Sequence, residues 1–228
     1  MLFLTNGIPS AECLWSWQRA CLDQRISRRH SEAQTAAAVA GYRIAGFANR
    51  PTRSLKDHLP AALADIRAAV NTTGADRLWI PAYEGGHQDH DAANLLGACL
   101  DAEIAVWEFA EYNFCGGKIM SHRFPQPHPD EQQLELTADE TATKRRLLEL
   151  YASERGNLSY VSCSHEVFRP LCFADYRRPP HPGRLFYQRF QWVPFRHPRI
   201  DFTTPDVVCA RLAPFAAAHG LVAGGSAD

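Results

Sequence analysis

The fold of this chain is decided by residues 78–97, which read LWIPAYEGGHQDHDAANLLG. The apolar run at 78–81 predicts a buried strand, and the small and apolar residues at 92–100 predict a helix. Asp89 or Asp91 stands where the N-cap of that helix is expected. A buried strand that leads through a polar loop into a capped helix is the repeating unit of α/β folds.

The loop between this strand and this helix carries His87, Asp89 and His90. In open α/β sheets, ligands bind at the carboxyl ends of the strands, and the loop lies at such an end. Histidine is the commonest protein metal ligand and the side chain that titrates nearest neutral pH. The cluster therefore favours part of a metallohydrolase site, although one such cluster does not fill the coordination shell of a metal ion.

Apolar runs and helical periodicities alternate along the first 151 residues. The alternation predicts an α/β fold with a Rossmann-like, doubly wound, mostly parallel sheet and helices on both faces. Predicted strands cover residues 2–4, 42–47, 78–81 and 103–109, and predicted helices cover residues 14–40, 55–70, 92–100 and 139–151. The C-terminal part is rich in loops, and we expect it to fold over the sheet. We expect a single domain over residues 1–228, with a mobile tail at 220–228.

Composition argues against several classes of partner. The chain has 228 residues, 46% of them hydrophobic, and a formal net charge of -1, so neither nucleic acid nor an anionic membrane is favoured. We expect no membrane span, and no signal peptide at residues 1–5. Seven cysteines without a C-x-x-C pair indicate a reducing compartment. We therefore expect a cytoplasmic protein.

Three short motifs occur in a fixed order along the chain. They are LTNG at residues 4–7, RHSEA at residues 29–33 and GHQDH at residues 86–90. Together they resemble the LmbE/PIG-L family of metal-dependent N-deacetylases, which shows a strand ending in T-D-G, a helix with R-x-x-E and a later G-H-P-D-H loop. The resemblance covers residues 1–113 and continues weakly through residues 144–151.

The resemblance implies a zinc-dependent N-deacetylase that acts on an N-acetyl sugar conjugate. It implies that His90 ligates the metal and that His87 stabilises the oxyanion or protonates the amine leaving group. Asp89 would orient an imidazole, and Arg29 would face the substrate. In such a reaction the metal polarises the acetyl carbonyl and lowers the pKa of a bound water.

One motif of the family is missing from the place that the resemblance requires. The segment H-P-D-D-E supplies two further metal ligands and the base, and it precedes the strand that corresponds to residues 2–4. We therefore expect it upstream of Met1, either because the sequence starts at an internal methionine or because the chain is a natural remnant. Its strand would lie beside those at 2–4 and 78–81, so we expect the chain as given to form a homo-oligomer through unpaired strand edges.

Simpler interpretations of the same residues remain open. His87 and His90 also suit a loop in which they make only local hydrogen bonds. Arg29 and Glu32 have the spacing of an ordinary helix-surface ion pair. At the level of function, the alternative to a deacetylase is a catalytically silent descendant of the fold that binds a sugar or a protein partner.

A second stretch, PHPDE at residues 127–131, spells much of the missing motif. It does not follow a buried strand, since proline is confined to sheet edges and strand starts. Its order relative to the other motifs is also reversed. A solvated turn is therefore favoured over a metal role for His128 and Asp130.

Overall fold

The computed structural model describes residues 1–195, 197–198 and 200–221, so most of the tail predicted at 220–228 lies outside the described residues. Its strands are β1 Leu2–Phe3, β2 Gly46–Phe47, β3 Arg77–Pro81, β4 Ala105–Phe109, β5 Tyr112–Asn113, β6 Met120–Ser121, β7 Gln132–Glu135 and β8 His165–Pro170. Its α-helices are α1 Ser16–Arg19, α2 Leu22–Ala40, α3 Leu59–Thr73, α4 Gln88–Ala98, α5 Ala138–Leu150, α6 Arg155–Leu158 and α7 Pro205–Ala218. None of these described helices is both long and apolar enough to cross a membrane.

The largest sheet has the strand order β3-β4-β8-β7. β3 and β4 run parallel, with Arg77 opposite Ala105 and Pro81 opposite Phe109, whereas β8 pairs antiparallel with both β4 and β7. The separate β1–β2 pair is parallel and the β5–β6 pair is antiparallel. The fold is therefore mixed α/β, and among the described strands the pairing is mixed rather than mostly parallel. The doubly wound arrangement stays a prediction.

Two elements, β8 and α7, lie in the part that was predicted to be rich in loops. In β8 the buried positions are Val167 and Arg169, and the charged Arg169 is buried because it pairs with Glu108 at 2.6 Å. α7 begins at Pro205, a favourable first residue of a helix, but it also contains Pro214, which normally predicts a break. The local sequence patterns of these two segments therefore did not predict β8 or α7.

Two other boundaries differ from the prediction for local reasons. The helix predicted over residues 14–40 is divided into α1 and α2, because the backbone of Cys21 is not helical (φ -119°, ψ 28°). α2 ends at Ala40 and is capped by Gly41, whose φ of 74° lies in the left-handed region that glycine adopts without strain. Of the strand predicted over residues 42–47, only the last two residues form β2.

The main core lies between the β3–β4 pair and the helices α3, α4 and α7. Its buried side chains include Leu59, Leu63, Leu95, Leu96 and Leu212. Each such side chain contributes roughly 1.5–3 kcal/mol when it is fully buried. α4 lies especially close to β3, because a Cβ on Gly97 would be 2.4 Å from Ile80 Cδ1. This close packing holds α4 with its N-terminus at the carboxyl end of β3.

The opposite face of the sheet carries an aromatic cluster, Trp79, Trp107 and Phe168. The ring centroids of Trp79 and Trp107 are 5.5 Å apart, and Phe168 contacts Trp79 edge-on at 5.3 Å. Trp79 is 45% exposed, so no helix of the described residues covers this position. The expected helices on both faces are thus not seen at Trp79.

Two parallel strand pairs have open edges. Among the described strands, β1 pairs only with β2, and β3 pairs only with β4. Leu2, Leu4 and Leu78 nevertheless pack against the same core. Because unpaired strand edges beside an exposed apolar face recruit other chains, a homo-oligomer remains our prediction.

We expect the protein to self-associate at micromolar concentration through the sheet face that carries Trp79, Trp107 and Phe168. Trp79→Lys should weaken the association by about 30-fold, because a tryptophan at the centre of an interface contributes roughly 2 kcal/mol. Trp17→Lys is the matched control, since Trp17 is 65% exposed on α1. Sedimentation equilibrium measures all three proteins. A monomeric wild type, or equal effects of the two substitutions, would contradict the prediction.

Candidate functional site

Two glycines shape the loop that follows β3. Gly85 has a φ of 70°, and a Cβ there would lie 2.8 Å from Leu185 Cδ2. A Cβ on Gly86 would lie 2.2 Å from the carbonyl oxygen of Tyr112, which is closer than side chains allow. Glycine at these positions therefore lets Leu185 and Tyr112 pack directly against the backbone here. We call residues 86–90 the histidine loop.

Glu84, just before this loop, is completely buried. Its carboxyl group accepts hydrogen bonds from the amides of Glu111 and Tyr112 at 2.8 and 3.0 Å, and from Asn113 Nδ2 at 3.1 Å. Burial raises the pKa of Glu84 to about 8, although these hydrogen bonds favour the charged form. Glu84 thereby ties the carboxyl end of β3 to the segment that follows β4.

The N-cap of α4 is His87, in place of the Asp89 or Asp91 that the sequence predicted. His87 Nδ1 accepts a hydrogen bond from the amide of Asp89 at 3.1 Å. Asp91 instead accepts hydrogen bonds from the amides of Gly85 and Glu84, at 3.0 and 3.3 Å, and so holds the chain before the loop. α4 consequently begins directly after His87, earlier than its apolar residues indicated.

Asp89 joins α4 to the segment before α3. Its Oδ2 accepts hydrogen bonds from the Arg53 amide at 2.6 Å and from Thr52 Oγ1 at 2.8 Å, and its Oδ1 accepts one from the Leu55 amide at 3.0 Å. Arg53 has a φ of 70°, a strained backbone conformation that these contacts hold. The carboxylate is 3.8 Å from His87 Nδ1. It is therefore the backbone amide of Asp89, rather than its carboxylate, that orients the imidazole.

The hydrogen bond at Nδ1 determines the tautomer of His87. Because Nδ1 accepts, a neutral His87 carries its proton on Nε2. Burial lowers the pKa of His87 to about 4, so the ring is neutral near pH 7. The His87 side chain is 25% exposed to solvent. His87 can therefore donate one hydrogen bond from Nε2 to a bound molecule.

His90 forms an ion pair with Glu111, a residue that the sequence reasoning missed. His90 Nδ1 lies 2.8 Å from Glu111 Oε2, and the ring centroids of His90 and His87 are 5.3 Å apart. Burial opposes the charge of His90, but the Glu111 carboxylate outweighs burial and raises the pKa of His90 to about 9. Glu111 comes just after β4, so its place at the carboxyl end of a neighbouring strand was a signal that could have identified it.

The C-terminal part of the chain covers the histidine loop. The amide of Phe186 donates a hydrogen bond to the Gly85 carbonyl oxygen at 3.0 Å, and the Phe186 ring packs on Tyr112 at 4.6 Å. Gln88 Nε2 donates a hydrogen bond to Asp201 Oδ2 at 2.5 Å. Residues 186 and 201 of this part therefore lie over the carboxyl end of β3, whereas β8 forms part of the sheet itself.

Arg29 lies elsewhere, at the contact between α2 and the turn at residues 152–154. Its Nη2 donates a hydrogen bond to the Gly7 carbonyl oxygen at 3.4 Å and pairs with Glu154. Its Nη1 lies 4.0 Å from Glu32 Oε2. None of these partners belongs to the histidine loop. Arg29 is therefore held by residues outside the histidine loop, and its role as a substrate-binding residue stays a prediction.

A group of zinc ligands is not found among the described residues. A catalytic zinc normally has three protein ligands, whereas in the described part of the chain no three His, Cys, Asp or Glu side chains are grouped to hold a metal ion. His90, the predicted ligand, is paired with Glu111 through Nδ1, which leaves Nε2 as the nitrogen that could bind a metal. His128 and Asp130 form an exposed pair with 3.6 Å between Nδ1 and Oδ2, in agreement with a solvated turn.

No protein-family profile matches this chain, and no curated protein or solved structure is significantly similar to it. The resemblance to LmbE/PIG-L deacetylases therefore rests on the three motifs at residues 4–7, 29–33 and 86–90. Of the predicted site residues in these motifs, His87, Asp89 and His90 lie together in one loop and its helix. Membership of the family stays a prediction.

Asp89→Ala should lower the free energy of unfolding by roughly 3 kcal/mol, because three donors lose the charged acceptor that they share. Urea unfolding near pH 7 measures the change. Asp23→Ala is the matched control, since Asp23 also lies in the first turn of a helix but is exposed. Equal losses in the two variants would show that Asp89 does not hold the segment at residues 52–55.

Proposed function

We propose that the histidine loop is part of an LmbE-like site, that of a zinc-dependent N-deacetylase acting on an N-acetyl sugar conjugate. The observation that carries the proposal is the pair of imidazoles at the carboxyl end of β3, with ring centroids 5.3 Å apart. His87 is neutral and keeps an N–H for a ligand, while His90 is charged and paired with Glu111. Neighbouring groups whose pKa values are pushed apart are typical of acid–base sites.

His87 binds the carbonyl oxygen of the N-acetyl group in this proposal. A neutral imidazole that donates from Nε2 stabilises the negative charge that develops on that oxygen when the amide is attacked. The Asp89 amide holds His87 in the required tautomer. The described residues bring together too few ligands for zinc, so they account for binding and polarisation of the substrate but not for the complete hydrolysis.

The proposal includes a doubly wound sheet. β1–β2 and β3–β4 are both parallel pairs, and residues at their open edges pack on one core. A parallel strand between β1 and β3 would join the pairs into one sheet and would end beside the histidine loop. An H-P-D-D-E segment at that end would add two metal ligands and a base. A cytoplasmic location belongs to the same proposal.

A catalytically silent descendant that binds a sugar or a protein partner is the second candidate. It is favoured because, in the described part of the chain, no three His, Cys, Asp or Glu side chains are grouped to hold a metal ion. In that case His87 would hold a carbonyl oxygen without turnover. The two candidates differ in metal content and in the release of acetate.

The purified chain should hold well under one zinc ion per molecule after dialysis without chelator, since a catalytic site needs three ligands and His90 is the one ligand assigned. Plasma mass spectrometry measures the zinc content. His90→Ala and the exposed control His128→Ala should both leave it unchanged. Near-stoichiometric zinc in the wild type would contradict the assignment, and its loss in His128→Ala would show that the turn at residues 127–131 had been recruited.

A fusion that adds a strand ending in H-P-D-D-E before Met1 should gain zinc and should release acetate from N-acetylglucosamine conjugates. In this fusion His90→Ala should abolish both properties. His87→Ala should keep the zinc and lower kcat by about 100-fold, as expected for a lost oxyanion donor. Zinc binding without acetate would support the silent descendant. A fusion that needs His87 but not His90 for zinc would reverse the roles assigned here.

A further inference from the structure

His122, Lys144 and Glu166 form a charged cluster outside the histidine loop. The His122 side chain is buried, with 4% of its surface exposed. Its Nδ1 lies 3.1 Å from the Ala110 carbonyl oxygen and 3.2 Å from Glu166 Oε2. Its Nε2 lies 3.1 Å from Lys144 Nζ, which also donates a hydrogen bond to Glu166 Oε1 at 2.5 Å. One carboxylate thus faces two basic side chains.

The neighbours of His122 determine where a neutral ring carries its proton. The ammonium of Lys144 has donors only, so the nitrogen that faces it must accept a hydrogen bond. A neutral His122 therefore carries its proton on Nδ1, where the Ala110 carbonyl oxygen and Glu166 both accept. Burial, and after it the positive charge of Lys144, lower the pKa of His122 below its ordinary value of 6.5. The ring is accordingly neutral near pH 7.

The same cluster also provides partners for a charged ring. The Ser162 carbonyl oxygen lies 3.1 Å from His122 Nε2, and a carbonyl oxygen only accepts hydrogen bonds. A protonated His122 would donate from Nδ1 to Glu166 and from Nε2 to Ser162, which satisfies both nitrogens. It would also repel Lys144, a like charge 3.1 Å from Nε2. Each protonation state of His122 thus has its own set of partners, and the two sets differ in the place of Lys144.

Lys144 connects this cluster to α5. In α5, which spans Ala138–Leu150, no side chain is buried. A helix that buries little apolar surface opens at a low free energy, so its polar contacts matter more than those of a core helix. Loss of the Lys144 contact is therefore expected to loosen α5.

His122 also lies directly behind the partner of His90. Its backbone has a φ of 49°, a left-handed conformation that is uncommon for a residue other than glycine. Its amide donates a hydrogen bond to the Glu111 carbonyl oxygen at 3.0 Å, and its charge acts on the Glu111 carboxylate after that of His90. His165 on β8 faces the His122 ring, with 5.7 Å between ring centroids. The cluster is therefore adjacent to the candidate site without being part of the histidine loop.

We propose that His122, Lys144 and Glu166 form a proton-operated switch, in which a protonated His122 replaces Lys144 as the cation bound to Glu166 and α5 is loosened. The inference goes beyond the proposed function and does not depend on deacetylation. Because the pKa of His122 is lower in the folded state than its ordinary value, the unfolded chain binds this proton more tightly. The stability that neutral His122 contributes is therefore full above pH 6.5 and is lost as the pH falls from there through the pKa of the folded state.

An acid titration of the full chain, followed by long-range ¹H–¹⁵N spectra and by amide hydrogen exchange, tests the switch. We expect His122 to carry its proton on Nδ1 near pH 7 and on both nitrogens at the acidic end. Once His122 is charged, exchange in α5 should be about 10-fold faster or more after correction for the intrinsic rate, because a charge-assisted hydrogen bond is lost. Exchange in α3, which buries Leu59 and Leu63 in the core, should not change and is the internal control.

Two substitutions should move the titration of His122 in opposite directions. Lys144→Met removes the neighbouring cation and should move it to higher pH, whereas Glu166→Gln removes the carboxylate and should move it to lower pH. Lys144→Met should also show fast exchange in α5 already near pH 7, with little further change in acid. Arg145→Met, at an exposed position of the same helix, is the matched control and should behave as the wild type does.

The proposal is overturned if His122 is charged or carries its proton on Nε2 near pH 7, or if it stays neutral until the whole protein unfolds. It is also overturned if His122 becomes charged without faster exchange in α5, or if the two substitutions move its titration in the same direction. Thermal unfolding shows whether each variant is folded. If Lys144→Met does not fold, the tautomer of His122 and the exchange of α5 in the wild type decide the question.

Discussion

The carboxylate of Asp89 is the contact on which the rest of the candidate site depends. It lies in the first turn of α4, where a negative charge is favoured by the helix dipole, and it accepts three hydrogen bonds from residues 52–55. The same helix is held against β3 by the close approach of Gly97 to Ile80. α4 is thus held at its first turn and near its C-terminal end, and its N-cap His87 is thereby positioned at the carboxyl end of β3.

The two histidines of the loop differ because their neighbours differ. His87 Nδ1 is occupied by a backbone amide, so burial leaves this ring neutral. His90 lies against the carboxylate of Glu111, which keeps it charged despite burial. In the proposed site, the neutral N–H of His87 binds the acetyl oxygen, and Glu111 holds His90 as a carboxylate holds a ligating imidazole.

The strand at residues 78–81 and the helix after it were predicted because their apolar patterns involve residues that are close in sequence. The histidine loop was predicted as the candidate site because it lies between these two elements. Contacts between residues far apart in the sequence could not be predicted from such local patterns. Arg169 is charged and became part of a buried strand only because Glu108 on β4 neutralises it. Glu111 reaches the site through strand order, and Phe186 reaches it through the C-terminal part that covers the loop; neither is visible as a motif.

The most direct test of this account is the protonation of His87 and His90 in the intact protein, measured by long-range ¹H–¹⁵N correlation spectra near pH 7. The account predicts a neutral His87 with its proton on Nε2, which becomes charged only near its pKa of about 4. It predicts a His90 that is protonated on both nitrogens up to its pKa of about 9. A charged His87, or a His87 with its proton on Nδ1, would contradict the hydrogen bond from the Asp89 amide and the site that is built on it.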